Sequence, residues 1–379
     1  MNIALVIENF YPLKGGREAS TAQIASGFAD RGHTVTILCQ DGEPGDNPAV
    51  TVRRLLGRGG SRAKRLRKFA TLVQGLCREG EFDIVHSMLA IPGVDVFSPR
   101  GGSIPAQLAT IRRRDGKGRE TLSRIGRTVN LKRRLEAKFE RQLVADPSTL
   151  ILTNSPMVAG EYHRYYGRTE HVVSVFNAVD LPDMDEQTRA ETRNAIRLSL
   201  GISDEDTLLL TAATNFRLKG VYEAIDALRF TPPDIHLLAV GANNPDPAMA
   251  YAKKRGLADR VHTLPPQASL MGVLSACDAV VLLSWYDTCA RVILEALSFP
   301  RPAMTTKLNG VAEILASGAG YIVQSPAHCE EVAAAFVRLS SPSHREACLR
   351  AARNIGDKAS MDRQVEETLH HYESHLQSR

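Results

Sequence analysis

The stretch "DAVVLLSWYDTCARVILEALSFP" (278–300) decides the fold. It begins with a short continuous apolar run, "DAVVLLS" (278–284), of the kind that forms a strand buried on both faces. "CARVILEALSF" (289–299) then spaces its apolar residues as a helix does. A strand running straight into a helix is half of a βαβ unit and predicts a parallel sheet covered by helices. Two acids frame the junction. Asp287 falls in the loop and Glu295 two turns along the helix, on the same side within about 80°. A helix starting near Cys289 would turn the amides of residues 289–291 toward the carboxyl end of the strand. The plain alternative makes Asp287 an N-cap and Glu295 an exposed helix carboxylate.

The same alternation runs outward in both directions. Toward the amino terminus, strand signals stand at "NIALVIE" (2–8), "HTVTILCQ" (33–40), "VTVRRL" (50–55), "FDIVHSM" (82–88), "VDVFSPRG" (94–101), "STLILTNS" (148–155) and "HVVSVFNAVD" (171–180). Helix signals stand between them at "STAQIASGFADRG" (20–32) and "KRLRKFATLVQGLCREG" (64–80). The second half repeats the logic with "DTLLLTAAT" (206–214), "IHLLAVGA" (235–242), "RVHTLP" (260–265), "RPAMTTKL" (301–308) and "GYIVQS" (320–325). The fold class is therefore α/β, with two Rossmann-like doubly wound parallel-sheet domains. Domains are expected at 1–180 and 181–360, with the polar stretch 180–192 as linker. A last helix, 361–379, follows the second sheet. Two such domains in series present two sets of strand carboxyl ends to a shared central cleft, where ligands bind.

No apolar run reaches the roughly 18 to 20 residues of a membrane span. The first apolar run reads as a buried strand rather than a signal peptide. Six cysteines (39, 77, 277, 289, 329, 348) are scattered without metal-ligand spacing, which points to a reducing compartment and to no bound metal. Charge is uneven. Residues 1–180 carry 27 Lys and Arg against 18 Asp and Glu, and the remainder carries 20 against 24. Much of the excess lies in two runs, 52–69 and 111–142. Such runs suit a solvated face, nucleic acid or an anionic membrane. Phe139 is the sole aromatic in 111–142, so base-stacking platforms are missing and nucleic acid is not an expected partner.

Four loops carry chemistry. In "FYPLKGGREAST" (10–21), Gly15 and Gly16 sit between a strand and a helix with Lys14 beside them, as a phosphate cradle or a simple turn. In "ATNFRLKGVYEAIDAL" (213–228), Arg217 and Lys219 precede a helix, as an anion site or as solvated charges. The third is the opening stretch. In "KLNGVAEILASGAGYIV" (307–323), Asn309-Gly310 is a turn signal after a strand.

In order and spacing these loops resemble the retaining glycosyltransferases of family 4. "KGG" (14–16), "FDIVHSM" (82–88), "VFNAVD" (175–180), "NFRLKG" (215–220), "RVHTLPP" (260–266), "DTCARVILE" (287–295) and "LNGVAE" (308–313) carry the likeness over nearly the whole chain. The resemblance implies the GT-B fold, no cofactor, no metal, and a nucleotide-sugar donor, with UDP favoured. It implies a hexose transferred to a glycan or glycolipid acceptor. Arg217, Lys219 and Asp287 become the catalytic candidates. The two cations would offset charge on the diphosphate, and Asp287 would hold hydroxyls of the transferred sugar. Donor-binding candidates are Gly15, Gly16, Val261, His262, Thr263, Cys289, Ala290, Arg291, Val292 and Glu295, the last for the ribose. Lys14, Arg100 and Asn309 are additional candidates.

The chain departs from the family pattern at Asp287 (usually Glu), at Cys289-Ala290, at Arg291, and at "SPRGGS", which carries Arg100 and lacks the family's His. Within the family the chain looks most like the bacterial lipopolysaccharide core glucosyltransferases, whose basic membrane-facing insertion corresponds to 104–142 here. That likeness implies lipopolysaccharide or cell-envelope polysaccharide synthesis by a cytoplasmic protein, peripheral on the inner face of the cytoplasmic membrane. The competing readings are a nucleotide-sugar epimerase of the same fold and a non-catalytic basic protein that binds nucleic acid or membrane.

Overall fold

The computed structural model describes residues 1–12, 16–56, 59–115, 130–267, 269–353 and 359–378. The chain divides into two compact units, Met1–Ala178 with Met361–Arg379, and Val179–Ser360. Among the described residues each unit is built on one sheet, and every strand pair is parallel.

The first sheet contains β1 (Asn2–Phe10), β2 (Thr34–Gly42), β3 (Val50–Arg54), β4 (Ile84–Ser87), β5 (Val96–Phe97), β6 (Leu150–Thr153) and β7 (Val172–Ser174), in the order β3-β2-β1-β4-β5-β6-β7. The second contains β8 (Thr207–Ala212), β9 (Ile235–Val240), β10 (Val261–Leu264), β11 (Ala279–Leu282), β12 (Ala303–Thr306) and β13 (Gly320–Val323), in the order β10-β9-β8-β11-β12-β13. Both orders reverse once, between β1 and β4 and between β8 and β11. These are the topological switch points of doubly wound sheets, where loops diverge and leave a crevice. The continuous apolar runs end up wholly buried: Leu208, Leu209, Leu210, Val280 and Ala303 have no exposed surface.

Three local expectations fail, each for a physical reason. The strand foreseen at 94–101 pairs only at Val96–Phe97. Pro99 has no amide to continue the ladder, and Gly102, at φ 73°, closes a turn by donating to the Pro99 carbonyl at 2.8 Å. The polar stretch 180–192 is not all linker. Asp185 caps a helix, Glu186–Leu200, its carboxylate accepting from the Thr188 amide at 2.8 Å. That helix is anchored by a cation rather than an apolar stripe, which is why its pattern hid it. Arg197 is buried and donates to the Asp206 and Ala276 carbonyls at 2.6 and 3.1 Å and to the Asp278 carboxylate at 3.3 Å. The helix after β11 starts at Arg291, with Ala290 rather than Asp287 in the capping position.

The helix Met361–Gln377 closes the core of the first unit. It lies against the helix Gly16–Asp30 so closely that a Cβ on Gly27 would sit 2.4 Å from Val365 Cγ2. Its Tyr372 is fully buried and its hydroxyl bonds to His86 Nδ1 on β4. The Ser98 hydroxyl spends its proton on the Leu152 carbonyl at 2.9 Å, so at 2.7 Å it accepts from His86 Nε2. His86 is thus a neutral, fully partnered imidazole. Burial first, and the Arg100 charge second, pull its pKa down to about 3.

Two outcomes follow. Tyr372→Ala should destabilise the first unit by about 3–5 kcal/mol in urea unfolding, as loss of a buried aromatic does. The unfolded chain binds more protons than the folded one between about pH 6.5 and 3, so stability falls on acidification. His86 should contribute a slope of up to about 1.4 kcal/mol per pH unit below pH 6.5, absent in His86→Gln.

Candidate active site

At the switch point of the second sheet three loops meet: 213–220 after β8, 283–290 after β11, and 307–311 after β12. The first crosses the second at Gly220. That residue stands at φ 70°, and a Cβ there would fall 2.0 Å from the Leu283 carbonyl oxygen. The crossing is held by the Trp285 amide donating to the Leu218 carbonyl at 2.9 Å. Trp285 Nε1 in turn donates to Glu223 Oε1 at 2.9 Å. Burial raises the Glu223 pKa, and this hydrogen bond opposes the rise.

The crossing brings Lys219 to Asp287, and their ammonium and carboxylate form a direct ion pair. Asp287 is held from behind. Its amide donates to the Leu308 carbonyl at 3.0 Å, and its carbonyl accepts from the Gly310 amide at 2.9 Å. Asn309 fastens the second and third loops from inside. It is 1 % exposed, and its Oδ1 accepts from the Ala290 and Val311 amides, both at 3.2 Å. Its Nδ2 donates to Thr305 Oγ1 at 2.9 Å. Ala290 N–H therefore points at Asn309, and not outward as the sequence suggested.

Farther along, Arg291 Nε donates to Glu295 Oε1 at 2.8 Å. The unusual arginine is answered by the acid one turn away, and Glu295, 13 % exposed, is not a solvated surface carboxylate. Cys289 and Val292 are buried beside them. Arg217 lies in the same loop as Lys219, near enough to Glu223 to favour its carboxylate form.

The other candidates belong to other elements. Val261, His262 and Thr263 lie on β10, the edge strand two places from β8. His262 Nε2 faces His236 Nδ1 at 3.1 Å, and burial followed by that neighbour lowers its pKa. Its side chain is thus engaged with the start of β9 rather than with the loops. In the first unit, Gly16 opens the helix Gly16–Asp30, whereas Lys14 and Gly15 lie outside the described residues. Arg100, in the turn after β5, donates to Asn177 Oδ1 at 2.7 Å. Glu223 and Trp285 escaped sequence reasoning. The only signal was an acid on the first turn of a helix opposite the chain's one tryptophan. Among the described residues, no group of three or more His, Cys, Asp or Glu could hold a metal ion.

Two doubly wound parallel sheets, with charged loops gathered at a switch point of the second, place the chain among the α/β proteins that bind ligands at the carboxyl ends of their strands. Residues 14–182 match the family described as Glycosyltransferase Family 4, and residues 192–355 match Glycosyl transferases group 1. The two matches span most of the chain, which belongs to these glycosyltransferases and has their GT-B fold. It is similar to the lipopolysaccharide glucosyltransferase WaaG of Escherichia coli (strain K12), 25 % identical over 340 residues, covering 88 % of this chain and 87 % of the relative. The crystal structure of a WaaG, described as a glycosyltransferase of lipopolysaccharide biosynthesis, superposes with a TM-score of 0.79 at 23 % identity, over 97 % of this chain and 98 % of the other. The Anabaena protein Alr3699/HepE, solved with UDP and glucose, superposes with a TM-score of 0.71 at 18 % identity, over 97 % and 99 %.

Asn309→Ala would leave the buried amides of Ala290 and Val311 unpaired. The expected loss is about 1–3 kcal/mol for each orphaned group, read as a lower urea midpoint. An unchanged midpoint would remove Asn309 from its role as the internal tie.

Proposed function

We propose that the protein transfers a hexose from a UDP-sugar to a glycan or glycolipid of the cell envelope, with retention at the anomeric carbon and without a metal. The observation that carries this reading is the Lys219–Asp287 pair at the β8–β11 switch point. Its two halves match the two ends of the bond that must break. The Lys219 ammonium can donate to a diphosphate oxygen, and the Asp287 carboxylate can accept from a sugar hydroxyl. Negative charge grows on the diphosphate as the glycosidic bond lengthens, and a fixed cation there favours the transition state over the ground state. Arg217, in the same loop, adds a second positive charge. Together the two cations supply what a divalent ion supplies in other transferases, and this supports metal-independent transfer.

Glu295, on the helix behind Asp287, has the chemistry to accept from ribose hydroxyls. Its bond to Arg291 fixes where its carboxylate stands. The lipopolysaccharide glucosyltransferase relative supports an envelope acceptor, and the Anabaena structure with UDP and glucose supports the donor class.

A second observation favours action at a membrane surface. In the first unit a groove of about 610 Å3 runs between the helices Arg62–Glu79 and Leu131–Ala145. It is lined by Lys64, Arg67, Arg134, Lys138 and Arg141, with Leu131 65 % exposed at one end. Cations flanking an exposed leucine suit anionic headgroups above an acyl boundary. No helix among the described residues is long and apolar enough to cross a membrane.

Lys219→Gln and Arg217→Gln should each lower kcat by about 10²–10³-fold with the melting temperature kept within a few degrees. UDP should raise the wild-type melting temperature, EDTA should leave transfer unchanged, and the product anomer, read by NMR, should match the donor. A product of inverted configuration would overturn retention, and full activity in Lys219→Gln would overturn the site. Binding to anionic vesicles in flotation should disappear with added salt, because the attraction is screened within a Debye length. Equal recovery with neutral vesicles would remove the membrane assignment.

A further inference from the structure

A second polar cavity, about 320 Å3, opens at the carboxyl ends of β1 and β2 in the first unit. Its lining is Glu8, Asn9, Gln40, Arg62, Arg65 and Lys132. The Glu8 carboxylate is matched by Lys132 Nζ at 2.6 and 2.8 Å. Two guanidinium charges, those of Arg62 and Arg65, are therefore in excess.

Gln40 is the decisive residue. It is 3 % exposed, and its Oε1 accepts from Arg65 Nε at 3.2 Å, which fixes the amide so that Nε2 is the remaining donor. Nε2 is buried without a partner. A buried donor left unpaired is costly and is retained where something else supplies the acceptor. The cavity also lies at the amino end of an 18-residue helix capped by Ser61, and this end of the helix dipole favours negative charge. A buried amide donor, two arginines and a helix amino terminus make a site for an oxyanion.

We propose that this cavity is an acceptor subsite for an oxyanion carried on a sugar, a phosphate or a carboxylate, held by Gln40, Arg62 and Arg65. The acceptor role rests on the transferase reading above. The oxyanion site itself does not. It assigns a task to part of the basic run 52–69 that the donor chemistry leaves without one.

The test is calorimetry on the full chain saturated with UDP, with glucose 6-phosphate, glucuronate and glucose as probes. At least one of the two anionic sugars should bind and glucose should not. Whichever of phosphate and carboxylate binds identifies the group. Gln40→Leu and Arg65→Gln should each weaken that binding about tenfold or more, with UDP affinity unchanged. Arg62 is exposed, so Arg62→Gln keeps the fold and should weaken binding in the same direction. Absence of binding by both anionic sugars, or equal binding in all three variants, overturns the proposal. Anionic-sugar binding that needs Gln40 in a protein that does not bind UDP would uphold the oxyanion site and reject the donor assignment instead.

Discussion

The carboxy-terminal site depends on one steric fact: Gly220 has no Cβ. With a side chain there, the loop after β8 could not pass within van der Waals reach of the Leu283 carbonyl, and its left-handed backbone would be strained. The passage seats Leu218 against Trp285 and carries Lys219 to Asp287. Residues 68 apart in sequence become an ion pair because one position is glycine. Asn309 then ties the loop after β12 to the residues that precede the helix after β11, so the three loops at the switch point are fastened to one another. A site assembled this way is held by packed backbone rather than by flexible side chains, as transition-state electrostatics requires.

The two units use charge differently. In the second, cations and acids are paired or neighbours at close range: Lys219 with Asp287, Arg291 with Glu295, and Arg197 with Asp278. In the first, the arginines and lysines of the helices Arg62–Glu79 and Leu131–Ala145 line two openings, one with an exposed leucine and one with a buried amide. Part of the basic excess of the first half is thus organised along these two helices, while residues 116–129 of the run 111–142 lie outside the described residues. The helix Met361–Gln377 crosses the sequence order to complete that half, through Val365, Leu369 and Tyr372 in its core.

The errors of sequence reading have two causes. The strand foreseen at 94–101 is cut short locally, by Pro99 and the turn at Gly102, whereas the helix docked by a buried arginine and the helix start moved to Arg291 turn on partners distant in sequence. Asp287 looked like a cap because an acid before a helix commonly is one. Its backbone is instead committed to Leu308 and Gly310, and its side chain to Lys219. His262 is a donor-binding candidate by the family resemblance alone, and its ring is turned to His236.

By itself the sequence determined the class of fold. Continuous apolar runs can be buried only within a sheet covered on both faces, and helices between them force parallel pairing. It also determined which loops carry charge, since "NFRLKG", "DTCARVILE" and "LNGVAE" are legible as text. The tertiary structure alone decided which of those charges meet. Strand order places β8 beside β11 although β9 and β10 intervene in the chain, and no local pattern encodes that exchange. It decided as well that Asn309 is an internal tie, that Glu223 supports Trp285, and that Gln40 keeps a buried donor without a partner. Those facts depend on burial and on contacts between distant residues, which exist only once the chain has closed on itself.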